Sequence, residues 1–275
     1  LELITGKFLR HSPEFYEWRV KDRLKRLEAD PKNLAWLDDL GVAYDKTGHH
    51  DKAIETMARK EAIQPGQYET LANLGTFYLH DGQLAKGMQL IGKAIEVNPD
   101  AHFGREVYQK LLAEYVLSKA PEGKPSLPLS VDERGVLQPV GFAEFVLQRQ
   151  SGAETELESA TKGVLGMLKF GTFNHPILLE VLGDLLLFMG RTQDDARLLA
   201  TRAYLRASYG ATDGAMRDAY RKIAAASIWM PTIEGAENRS ITLDELERDF
   251  MKERADARAW HGEGRRDELA WIRDG

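Results

Sequence analysis

Cysteine is missing from the 275-residue chain, which excludes disulfides, thiolate metal sites and a cysteine nucleophile. No apolar run approaches the roughly 18 residues that a membrane-spanning helix needs. The longest, Val181 to Met189, is interrupted by Gly183 and Asp184 and reads as a core helix. Bases are the minority, 37 Lys and Arg against 43 Asp and Glu, for a net charge of -6. A general nucleic-acid binder needs the opposite excess to neutralise phosphates. There is no G-x-S-x-G elbow, phosphate-binding loop, H-E-x-x-H or G-x-G-x-x-G, so neither catalysis nor a cofactor is expected. An initial Met is also lacking. A chain that begins at Leu1 reads as one with a trimmed N-terminus, which favours an exported or periplasmic location over a cytoplasmic one. What is present, 43% hydrophobic and 29% charged residues, excludes disorder throughout.

The most informative stretch runs from Leu34 to Pro99. Leu37, Leu40, Gly41, Tyr44, Ala53, Met57 and Pro65 are followed, each 34 residues later, by Leu71, Leu74, Gly75, Tyr78, Gly87, Ile91 and Pro99. Leu37, Leu40 and Tyr44 fall at i, i+3 and i+7 and share a helix face, as do Leu71, Leu74 and Tyr78. Gly48 and Gly82 suit the left-handed turn that ends a helix, and Pro65 and Pro99 stop the helices that follow. The pattern W-x2-L-G-x2-Y, A-x3-F, P at this period marks the tetratricopeptide repeat. Leu37 and Leu71 replace its Trp, Gly87 its Ala, and Met57 and Ile91 its Phe. The chain therefore resembles the tetratricopeptide-repeat family. The resemblance implies an all-α, right-handed superhelical solenoid of helical hairpins, with Gly41 and Gly75 where two helices come close. Two hairpins alone would be marginal, so further helices must flank them.

On this reading residues 1–120 form an N-terminal array. Leu1 to Arg10 runs over the surface or caps the first helix. Ser12-Pro13-Glu14 opens a cap helix over 13–29, whose Leu24 and Leu27 fill the seam under Leu37 and Leu40. Repeats follow at 34–67 and 68–101, then an extra helix, 100–118, in which Gln109 stands in the place of the close-contact glycine. Residues 121–141 hold Pro121, Pro125, Pro128 and Pro139. There 127–131 and 136–140 flank Asp132-Glu133-Arg134-Gly135 and read as a short β-hairpin. Degenerate helical repeats occupy 142–260. Among them Leu179, Leu182, Gly183 and Leu186 keep the repeat spacing, and the capping box Thr242-x-x-Glu245 opens the last helix. The charged tail, 261–275, packs as a final turn or hangs loose.

The histidines invite a metal search. The densest group is His49-His50-Asp51 with Asp45 nearby, but adjacent histidines do not converge on a helix, and polar residues are expected in a turn, so no metal site is expected. Binding is the better prospect. In the family the first helices line a concave face, and its usage points to Asp38, Val42 and Asp45, then Glu69, Asn73, Thr76 and His80, with Glu106 and Lys110 on the third helix. Relatives that clamp a chaperone's C-terminal carboxylate need bases along this face and a second Asn. Here Asp38, Val42, Phe103 and Val107 stand in those places, so that clamp is absent. The excess of Asp38, Asp45, Glu69, Glu106 and Glu114 over Lys46 and Lys110 favours a basic or neutral protein or peptide. The expected function is a non-enzymatic interaction scaffold. The alternative is a ligand-binding or assembly subunit that uses 121–141 and the C-terminal half.

Overall fold

The computed structural model describes residues 1–120, 125–131, 136–138, 140–150, 154–229 and 241–274, with backbone only at Phe103 and Glu154. The described residues form thirteen α-helices and no strand: α1 Glu2–Thr5, α2 Pro13–Ala29, α3 Leu34–Lys46, α4 His50–Ile63, α5 Tyr68–His80, α6 Leu84–Val97, α7 Arg105–Lys119, α8 Gly141–Arg149, α9 Glu154–Phe170, α10 Pro176–Met189, α11 Asp194–Tyr209, α12 Gly214–Ile228 and α13 Leu243–Asp274. They divide between two compact units, each drawn from separated parts of the chain. One, the repeat unit, comprises Leu9–Glu114 and Gly262–Gly275; the other, the second unit, comprises Leu1–Phe8 and Tyr115–His261.

In the repeat unit the helix ends follow from the cap residues. Ser12 accepts from the Phe15 amide at 3.2 Å with Pro13 in the first turn of α2, and Asn33 accepts from the Trp36 amide to start α3. Gly48 and Gly82, at φ of 79° and 81°, make the turns after α3 and α5, where only glycine is unstrained. Leu27, Leu37 and Leu40 form one apolar cluster. Ala53, Met57, Leu74 and Phe77 form the next, and Tyr68, Leu71, Ala72 and Ala94 a third. Leu24 is not in the seam: it is 44% exposed, and Val20 packs beside Leu27 in its stead. A methyl on Gly75 would lie 2.7 Å from Ile91 Cγ1 and 3.1 Å from the Gly87 carbonyl oxygen, which is why α5 and α6 need a glycine there.

Three further expectations change. The helix expected from residue 100 opens instead as a 3-10 turn, Ala101–Gly104, with left-handed backbone at His102 and Gly104, and α7 starts only after it. The tail is neither loose nor a single turn: α13 continues through it to Asp274. There Trp271 lies 4.8 Å from the Trp18 ring, and Glu268 accepts from the Ser12 amide at 2.8 Å. Leu1 to Arg10 is not simply a surface run. Its α1 contacts α9 and α11 in the second unit, with Ile4, Thr5 and Phe8 buried.

The second unit packs α10 against α11, and α11 against α12. Phe142, Leu157, Leu168, Leu179, Leu182 and Phe250 lie in its core. The capping box holds: the Glu245 amide donates to Thr242 Oγ1 at 3.3 Å, and the Thr242 amide donates to Glu245 Oε2 at 2.9 Å. Of the expected β-hairpin the described residues show one antiparallel bridge, Val131 to Leu137; its turn, 132–135, and position 139 lie outside the described residues. Beside the bridge the Gln138 amide donates to the Ser130 carbonyl at 2.6 Å, while the Ser130 amide donates to buried Glu180 at 2.7 Å.

Candidate binding face of the repeat unit

The predicted face comes from three helices. Asp38, Val42 and Asp45 lie at i, i+4 and i+7 on α3; Glu69, Asn73, Thr76 and His80 run along α5; Glu106 and Lys110 are one turn apart on α7. Cross-links join the three helices: Gln109 Nε2 on α7 donates to Thr76 Oγ1 at 3.0 Å, and His80 Nδ1 on α5 lies 2.8 Å from Asp45 Oδ1 on α3. Gln109, in the place of the repeat's glycine, is thus a buried link rather than a close contact.

Most of the acidic residues on this face already have partners. Asp38 Oδ2 pairs with the buried ammonium of Lys60 from α4, while its Oδ1 is buried without a partner among the described residues. Burial pushes the Asp38 carboxyl above its ordinary range, with Glu69 and Asp39 adding to the rise and Lys60 opposing it. Glu106 is buried; its Oε1 accepts from Arg105 at 2.8 Å and lies 3.0 Å from His102 Nδ1. Burial alone would raise its carboxyl, but Arg105, His102 and Tyr68 outweigh burial and hold it below the usual value. Val42 packs on the Met57 and Phe77 cluster, and Lys110 is half-buried. Glu69 is exposed, and Asn73 is half-buried with no hydrogen-bond partner among the described residues.

Asp45 is the most constrained member. Its buried carboxylate receives two imidazoles on one oxygen, His50 Nδ1 at 2.9 Å and His80 Nδ1 at 2.8 Å. Candidate ligand atoms of the three side chains all lie within 4.8 Å of one another. His49 does not converge with His50. It turns to Thr47 Oγ1 at 3.1 Å. The third member, His80, comes from one repeat further on. The period gives the missing signal, because 34 residues back from His80 stands Lys46, next to Asp45.

A second cluster, in the other unit, was not anticipated. Glu180 and Asp184, one turn apart on α10, are both fully buried. Glu180 accepts from the Ser130 amide at 2.7 Å and hydroxyl at 2.8 Å, and from the Tyr220 hydroxyl at 2.8 Å. Asp184 accepts from the Tyr204 hydroxyl at 2.7 Å and the Phe142 amide at 2.9 Å. Burial, together with the neighbouring Glu180, pushes the Asp184 carboxyl up to about 7. Burial likewise raises Glu180. Ser130, Tyr204 and Tyr220 are as inaccessible as the two acids, so the cluster works as an internal polar brace and not as a surface for substrate. The available signal was two carboxylates at i and i+4 in an otherwise apolar helix.

No match is found among curated proteins. Residues 68–101, which contain α5, α6 and Asn73, match the family model of the tetratricopeptide repeat and are similar to that family over this stretch.

Proposed function

We propose that the chain is a protein-interaction scaffold that holds an extended or helical segment of a partner on the face made by α3, α5 and α7. The observation that carries this reading is the tetratricopeptide-repeat match at 68–101, on whose first helix Asn73 stands half-buried and unpartnered beside exposed Glu69. An amide in that setting offers both a donor and an acceptor to another backbone. Because Asp38, Asp45 and Glu106 are internally engaged, the charge left for a partner is smaller than the sequence count suggests. The partner segment is neutral or weakly basic, and Glu69 is its main electrostatic contact. A terminal carboxylate has no basic clamp to meet. The insertion is a poorer candidate for the binding surface, since its Leu129 and Ser130 are sealed in the second unit's core.

The test is a peptide-library screen by fluorescence polarisation against the full chain. Neutral or mildly basic segments should bind, with Asn73→Ala weakening them about fivefold, the effect of one hydrogen bond of about 1 kcal/mol. Glu69→Lys should reduce the salt dependence of any basic binder. Binding unchanged in an Asn73→Ala, Glu69→Lys double variant would remove this face from consideration.

A further inference from the structure

The trio Asp45, His50 and His80 carries an inference that goes beyond peptide binding. In the duplicated repeat the places equivalent to Asp45 and His50, 34 residues on, are taken by Leu79 and Leu84. A hairpin of this kind therefore folds with apolar residues there, and the repeat does not require this polar group. Three successive helices supply it: Asp45 from the last turn of α3, His50 from the first residue of α4, and His80 from the last of α5. The Gly48 turn brings the first two together.

The chemistry is that of a metal site with one side open. A carboxylate oxygen and two imidazole nitrogens form a mixed donor set suited to zinc and its neighbours rather than to calcium or magnesium. The carboxylate side chain is 7% exposed, whereas His50 and His80 are 30% and 34% exposed, so an ion can enter from the histidine side and keep a water there. The two rings cross at 61° with centroids 5.7 Å apart, so they do not stack on one another while both nitrogens meet the carboxylate. Zinc lies about 2.0–2.2 Å from such ligands, which places tetrahedral donors roughly 3.4 Å apart. The existing separations of 2.8 and 2.9 Å to Asp45 Oδ1 need only modest opening. We propose that Asp45, His50 and His80 bind one divalent cation of the zinc class, with the fourth position left to solvent. Each Nδ1 then gives its lone pair to the metal, and the ring proton resides on Nε2.

The experiment is a titration of the chelator-stripped full chain with Zn2+ by calorimetry and with Co2+ by visible spectroscopy. No peptide is present, so the outcome is separate from that of the scaffold reading. One equivalent should bind, with Co2+ giving the intense bands of a low-coordinate site. Asp45→Asn and His80→Ala should each weaken binding at least about a hundredfold, because losing a direct ligand costs no less than losing a supporting one. His49→Ala should leave it unchanged. Circular dichroism verifies that the variants fold; if Asp45→Asn does not, His80→Gln, at a part-exposed helix end, carries the test. Absence of saturable binding below millimolar zinc, or wild-type affinity in the folded Asp45 and His80 variants, would overturn the proposal.

Discussion

Gly41 in the repeat unit and Gly183 in the second unit hold the same place in two helical hairpins, yet different groups press on them. A methyl on Gly41 would stand 3.1 Å from the flexible end of Met57, whereas one on Gly183 would stand 2.6 Å from the ring of Tyr204. That ring is fixed, since its hydroxyl donates to buried Asp184. The repeat unit joins α4 to α5 through an apolar seam of Ala53, Met57, Leu74 and Phe77, against which Val42 and Tyr44 of α3 pack. The α10 and α11 pair keeps the close glycine but routes part of its cohesion through carboxylates that also hold Ser130 and the start of α8. A helical hairpin can thus retain its close backbone approach while exchanging side-chain volume for hydrogen bonds.

The comparison breaks first at Asp184. Asp184→Ala would leave the Tyr204 hydroxyl and the Phe142 amide unpaired in the core and should cost about 3–5 kcal/mol in chemical denaturation. A loss under about 1 kcal/mol would mean that the brace is dispensable. Acidity sharpens the contrast next. In the folded chain Asp184 takes up its proton near pH 7, against an ordinary value of 3.8. The folded state therefore holds the extra proton across that window, and the second unit gains stability as pH falls from about 7 towards 5. In the repeat unit Glu106 is shifted down, so its stabilisation persists through the same window and is lost only below its ordinary 4.5. Hydrogen exchange of α10 and of α5 at pH 7 and pH 5 should show protection rising more in α10 than in α5, since the raised Asp38 carboxyl gives the repeat unit only a smaller rise of the same sign. Next in size, Gly183→Ala should destabilise by about 1–3 kcal/mol through overpacking against Tyr204, read as a lowered melting temperature. Smallest is Gly41→Ala. Met57 can swing aside, and alanine's helix preference of about 1 kcal/mol offsets the crowding, so the change should stay within about 1 kcal/mol.

Local chemistry made much of the fold legible. Ser12, Gly48, Gly82 and Thr242 mark helix ends within a few residues of themselves, and the 34-residue period located the close glycines. What remained hidden was assembled over distance. Asp184 is tolerable in a core only because Tyr204 and Phe142 lie 20 and 42 residues away in sequence and supply donors. The tail's helix depends on α2 for its packing surface, with Arg265 pairing to Glu14 251 residues earlier and Trp271 meeting Trp18. Of the face residues, exposed Glu69 and half-buried Asn73 stayed available, but counting charges could not reveal that Lys60 and Arg105 had already claimed Asp38 and Glu106.

The interleaved membership of the two units has a consequence for synthesis. The Ser12 amide at the start of α2 meets Glu268, 256 residues further along the chain, and Trp18 meets Trp271. At the ribosome's pace of about 5–20 residues per second, α2 to α6 emerge well before those partners exist. The repeat unit must therefore wait in an incomplete form, with the Phe15 and Trp18 surface uncovered, until the last helix has been made.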